Sequence, residues 1–128
     1  MRALLDRVAP DLPHGVVIVG SNGKGSTSAL TEALLRAQGL RVGLYTSPHL
    51  FRWSERIQVD RAPIPDRELD RVLGSVVAQA QTIAPDAFGQ FELLTAVAAA
   101  WFAEQGLDAI VWEAGLGGRL DPTRLMPK

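Results

Sequence analysis

Val16-Val-Ile-Val-Gly20-Ser-Asn-Gly-Lys24-Gly-Ser26-Thr27 decides the reading of this chain. Four apolar, mostly β-branched residues run into a loop with glycine at 20, 23 and 25, then a lysine, hydroxyl residues and a helical pattern. A strand, a glycine-rich turn and a helix start in that order form an anion cradle, because free backbone N–H groups and the positive end of the helix dipole meet at the turn. The stretch reads as a phosphate-binding loop for ATP. Gly20, Ser21, Asn22, Gly23, Lys24, Gly25, Ser26 and Thr27 are its nucleotide-binding residues. Lys24 reaches phosphate oxygens as a mobile charge. A hydroxyl at the helix start, Ser26 or Thr27, is placed to bind Mg²⁺.

The loop departs from G-x-x-x-x-G-K-[ST] in two ways. Ile18 stands where the first glycine belongs, and Gly25 separates Lys24 from Ser26. A plain glycine turn would not explain a lysine between two glycines at a helix start. A dinucleotide fingerprint, Gly23-x-Gly25-x-x-Ser28, asks for an acid near the end of the second strand. Residues 41 to 48 hold no Asp or Glu.

Outward from the loop, Ala29, Leu30, Ala33, Leu34 and Ala37 repeat at helical spacing, and Gly39 sits where a terminating glycine belongs. Residues 16–19, Val42–Tyr45 and Ala109–Glu113 read as buried strands of a parallel sheet, because each is apolar on both faces. Arg56 to Asp60 alternates as a short strand does, and Ala62 to Pro65 reads as a turn. Helices are expected at 2–9, from Asp66 through Ala80, and across Leu94 to Phe102. The tail from Arg119 to Lys128 has no periodicity. Strands alternating with helices give an α/β fold, P-loop NTPase-like, with a mostly parallel sheet flanked by helices and ligands beyond the strands' carboxyl ends. Three features fall there: the glycine loop, the loop from Thr46 to Trp53, and Glu113. An acid at that strand end commonly holds Mg²⁺ in phosphate-loop enzymes.

The bulk numbers narrow the classes. The 128 residues suffice for one domain, and 47% apolar content excludes disorder. Lys plus Arg is 13 against 14 for Asp plus Glu, so nothing favours nucleic acid or an anionic membrane surface. No cysteine is present, which excludes disulfides, thiolate zinc and thiol catalysis. No stretch reaches the roughly 20 apolar residues of a membrane span, and the N-terminus lacks a signal-peptide pattern. A soluble, cytoplasmic chain is expected.

Thr46-Ser-Pro-His-Leu50, Glu55-Arg56, Phe91-Glu92 and Glu113-Ala-Gly-Leu-Gly-Gly-Arg-Leu-Asp121 follow the loop in order. With these motifs the chain resembles the N-terminal, ATP-binding part of folylpolyglutamate synthase, including the bifunctional dihydrofolate synthase forms, in the Mur-ligase superfamily. The resemblance implies an incomplete Mur-ligase central domain: one truncated ATP-binding domain over 1–128, without the C-terminal glutamate-binding domain. The sheet should then expose apolar surface. The implied activity is ATP-dependent ligation of L-glutamate to dihydropteroate or a folate through an acyl phosphate, with ATP and Mg²⁺ as cofactors and a monomer as the complete form. Lys24 and Glu113 are the implied catalytic residues; Ser26, Ser47 and Glu113 the metal site; and Ser47, Pro48, His49, Leu50, Arg56, Phe91 and Glu92 the substrate pocket. The family usually has Thr at position 21 and Leu-Asp-Ala-Thr-Asn where this chain has Leu120-Asp-Pro-Thr-Arg124. By itself the chain is expected to ligate little or nothing. The alternative is a non-catalytic ATP-binding module; a small nucleotide kinase would need an arginine lid that the scattered arginines do not provide.

Overall fold

The computed structural model describes residues 1–115 and 120–128. Leu116 to Arg119, within the second glycine-rich loop, lie outside the described residues. Among the described residues four α-helices, α1 (Arg2–Val8), α2 (Lys24–Ala37), α3 (Asp66–Ile83) and α4 (Gln90–Ala103), surround five strands, β1 (Gly15–Ile18), β2 (Val42–Tyr45), β3 (Ile57–Val59), β4 (Ala62–Pro63) and β5 (Ala109–Glu113). The sheet order is β1-β5-β2-β3-β4. The three longest strands run parallel, and β3 and β4 add an antiparallel ribbon at one edge. The sheet is therefore mixed, and parallel where the glycine loop leaves it. The ribbon's two-residue turn, Asp60-Arg61, has positive φ at both positions, as a hairpin turn matched to strand twist requires. Its sequence carries neither glycine nor asparagine, which is why the sequence predicts a turn over Ala62 to Pro65 and gives no sign of β4.

Period-two alternation divides the core. Val42, Leu44 and Val111 form one buried cluster with Leu35 of α2. Tyr45, Ile110 and Trp112 face the other way, into the larger core with Val72, Val76, Val97 and Phe102 from α3 and α4. Trp112 is its aromatic centre, 5.6 Å from Tyr45 and 5.5 Å edge-on from Phe102 between ring centroids. Each such fully buried side chain is worth about 1.5–3 kcal/mol relative to exposure. Trp101, Phe102 and Leu94 are buried. Gly39 and Gly106 take positive φ just past α2 and α4, where the sequence placed helix stops.

Two expectations are overturned. Residues 16–19 do not form a strand buried on both faces: β1 is an edge strand, with Val16 and Val19 exposed. The apolar stripe of α2 does not face the sheet either. Ser28 and Glu32 are buried, while Leu30 is 62% and Leu34 59% exposed. The physical reason is position: α2 lies over β5 and β2 more than over β1, so the helix face turned inward is offset from its most apolar one. Glu32 is held there by Arg36 Nε at 2.9 Å and Arg61 at 4.0 Å. Val16 and Val19 at the β1 edge and Leu30 and Leu34 on α2 are exposed apolar side chains. Among the described residues no helix is long and apolar enough to cross a membrane.

Candidate functional site

The glycine loop leaves β1 at Ile18 and enters α2 at Lys24. Gly20 has φ 150° and Gly23 φ 75°, values an L side chain rarely adopts, so the turn depends on glycine at both. Lys24 is the first helical residue, and the first intrahelical bond of the turn is donated by Thr27 to the Gly23 carbonyl over 3.0 Å. The backbone N–H groups of the first turn are thus free for an anion. Gly20 to Gly23, Gly25, Ser26 and Thr27 are all solvent-exposed. Lys24 is half-buried, and its Nζ donates to the Gly115 carbonyl over 2.6 Å.

Glu113, the last residue of β5, is 3% exposed. Its Oε2 has no hydrogen-bond partner and lies 3.9 Å from where a Cβ on Gly25 would stand. Burial pushes its pKa up, opposed by the Ser47 backbone N–H and the nearby charge of Lys24. An unpartnered buried carboxylate oxygen at a helix start suits a divalent cation that takes most of its ligands from water and phosphate. Among the described residues no three or more His, Cys, Asp or Glu side chains are grouped to hold a metal ion by themselves; one carboxylate and hydroxyls are the oxygen donors of a hard cation.

The loop after β2 is held by its own side chains. The Glu55 carboxylate accepts N–H bonds from Leu50, Phe51 and Arg52, which together keep its pKa below the usual range. Arg56 Nε donates to His49 Nδ1 over 2.8 Å, and its guanidinium lies 4.5 Å from the Trp53 ring centre. His49 packs beside Trp53 at 4.5 Å. Arg52 pairs with Asp66 of α3, fixing the loop to the helical layer.

These elements meet at a cavity of about 600 Å³ lined by Lys24, Ser47, Pro48, Arg56 and Phe91, and on its far wall by Gly115, Leu120, Asp121 and Pro122. Of the sequence-named pocket residues, Ser47, Pro48, Arg56 and Phe91 line it. His49 stands behind Arg56. Leu50 is 84% exposed and outside the lining. Glu92 caps α4 by accepting the Gly89 N–H over 3.1 Å, a helix-end role in place of the expected pocket role. Phe91 is half-buried and faces the cavity. Thr95 of α4 donates to the Phe91 carbonyl over 2.8 Å and also shares a 2.9 Å hydroxyl bond with Tyr45.

The far wall was not expected. Asp121 caps a short helical turn over Pro122–Leu125, with Pro122 at its start. The signal was legible, since Asp-Pro-Thr is a helix-cap pattern, but the absence of apolar periodicity hid it.

The chain matches no protein-family model. It is 38% identical over 122 residues to the dihydrofolate synthase/folylpolyglutamate synthase of Haemophilus influenzae, covering 95% of this chain and 27% of that protein. A crystal structure of the bifunctional folylpolyglutamate synthase/dihydrofolate synthase of Yersinia pestis, complexed with AMPPNP and a Mn ion, superposes with TM-score 0.87 at 36% identity. The match covers 97% of this chain and 29% of that one. The Mycobacterium tuberculosis folylpolyglutamate synthase complexed with ADP matches with TM-score 0.87 at 37% identity, over 97% of this chain and 29% of its own. The chain spans about 27% of the Haemophilus relative's length.

Proposed function

We propose, for a chain homologous to one portion of the folylpolyglutamate and dihydrofolate synthases, that it is the nucleotide- and acceptor-binding part of an ATP-dependent ligase. The ligase joins L-glutamate to dihydropteroate or a folate. The single observation that carries this reading is one cavity that Lys24, Ser47, Arg56 and Phe91 line together. A phosphate group, a carboxylate and a flat ring each find a matching residue there.

In this reading the start of α2 and Lys24 hold the β- and γ-phosphates of ATP. Glu113, with the hydroxyls of Ser26 and Ser47, would hold Mg²⁺, which supplies charge neutralisation when bound. Arg56, held by His49 and Trp53, orients the acceptor carboxylate. Phe91 offers a face for the pterin ring. An oxygen of the acceptor carboxylate attacks the γ-phosphorus, and the bond to the β-phosphate oxygen breaks to release ADP. The amine of L-glutamate then attacks the acyl carbon, loses a proton and expels phosphate. The chain's contribution is to position the first pair of reactants and keep water from the acyl phosphate. In this reading glutamate is left to the part of the longer relatives that this chain does not span. The cytoplasmic setting belongs to the same proposal.

Titration of the chain with dihydropteroate or folate in the presence of MgATP, followed by tryptophan fluorescence, tests the reading. Trp53 stacks on Arg56 of the cavity, so acceptor binding should change its emission. ATP binding without any acceptor-dependent signal would instead favour a non-catalytic nucleotide-binding module.

A further inference from the structure

We infer that Asp121 is a positioning residue for Lys24, acting through Gly115. The inference rests on the phosphate-loop reading of Lys24. Asp121 is 3% exposed, and each of its carboxylate oxygens is occupied. Oδ2 accepts the Gly115 N–H over 2.7 Å. Oδ1 accepts the backbone N–H of Thr123 over 2.9 Å and also the Thr123 hydroxyl. Thr123 is itself fully buried. The carboxylate is thus immobilised by its own helical turn and grips the residue after β5. From that residue the Gly115 carbonyl accepts Lys24 Nζ over 2.6 Å.

Gly115 has no room to move sideways. A Cβ there would stand 2.8 Å from the tip of the Phe91 ring and 3.2 Å from Asp121 Oδ2. It is wedged between the aromatic wall of the cavity and the carboxylate. The lysine therefore leans on a rigid support. Among the described residues Lys24 makes no ion pair, although the Glu113 carboxylate lies near enough to feel its charge. The support holds the ammonium at the cavity mouth and leaves Oε2 of Glu113 unpartnered. A free lysine side chain gives up rotamer entropy on being fixed. The Asp121-to-Gly115 hold fixes it before nucleotide arrives.

The chain has two lysines, Lys24 and Lys128, and this makes a direct test possible. Lys128 lies on the same tail as Asp121 and serves as the internal reference. Amine-selective acetylation of the nucleotide-free protein, quantified peptide by peptide by mass spectrometry, gives the Lys24-to-Lys128 labelling ratio. A charge-assisted hydrogen bond of about 1.5 kcal/mol corresponds to about a tenfold change. Asp121→Asn keeps an acceptor for Thr123 but points an N–H₂ at the Gly115 N–H. It should raise the ratio by about that factor. Thr123→Val, which removes only the hydroxyl bond to Asp121, should raise it less and serves if Asp121→Asn fails to fold. A ratio unchanged in both variants overturns the inference. A parallel rise at both lysines, the mark of a merely loosened tail, overturns it as well. MgATP should protect Lys24 in the unsubstituted chain. Absence of protection overturns the phosphate-loop reading, and with it the role of Asp121 in nucleotide binding, whatever the ratios in the nucleotide-free variants.

Discussion

Ile18 and Glu113 are register partners at the carboxyl ends of the parallel strands β1 and β5. The Ala114 N–H donates to the Ile18 carbonyl over 2.9 Å and extends the ladder one residue past the acid. The last residue of β1 and the metal-ligand candidate are thereby set side by side, 95 positions apart in the chain. Glu113→Ala should abolish the Mg²⁺ dependence of ATP binding while leaving a folded protein. The check is ATP titration with and without Mg²⁺; persisting Mg²⁺ dependence would remove Glu113 from the metal site.

Lys24→Ala should weaken ATP binding by about tenfold or more, on the scale of a lost charge-assisted hydrogen bond. Thermal stability should hardly change, since among the described residues the lysine's one hydrogen bond is with a loop carbonyl. Calorimetric titration alongside a melting curve separates the two effects. Unchanged affinity contradicts the loop assignment.

Gly15 permits β1 to lie against β5. A Cβ there would stand 2.1 Å from the Ile110 carbonyl oxygen and 3.0 Å from its carbon. The obstacle is backbone and cannot swing away. Gly15→Ala should cost about 3 kcal/mol. Gly74→Ala is the control: it meets nothing within 4 Å inside α3 and should stabilise slightly. A denaturant melt of both variants reads the contrast.

Tyr45 should make the fold sensitive to alkali. Burial pushes its phenol from 10.0 up to about 12, against the hydrogen bond shared with Thr95 and the charge of Arg56. The folded state holds the proton more tightly than the unfolded chain. The resulting stability is therefore complete below pH 10 and is lost as pH rises from about 10 to about 12. Two units correspond to about 2.7 kcal/mol at most. Tyr45→Phe should remove this alkaline loss, at the cost of about 1 kcal/mol at neutral pH for the missing hydroxyl bond. Stability measured from pH 8 to 12 tests it; identical profiles for the two proteins would refute it.

The glycine loop, the helix starting at Lys24, the helix stops at Gly39 and Gly106, and the strand ending at Glu113 were legible because each is a local rule. Backbone conformations that need glycine, apolar runs and helix punctuation are written within a few residues. What only the tertiary structure decided is non-local. Strand order put β5 between β1 and β2, left β1 at the edge, and rotated Leu30 and Leu34 of α2 into solvent. Nothing in the period of α2 encodes which strands it covers. Asp121 carries no apolar pattern, yet its carboxylate accepts the N–H of Gly115, the residue whose carbonyl holds Lys24. Sequence determined the glycine-loop motif and the alternation of strands and helices, since those depend on neighbours in the chain. Tertiary structure decided which distant side chains share the cavity wall and what holds the lysine, since those depend on register across the sheet and on the path of the tail.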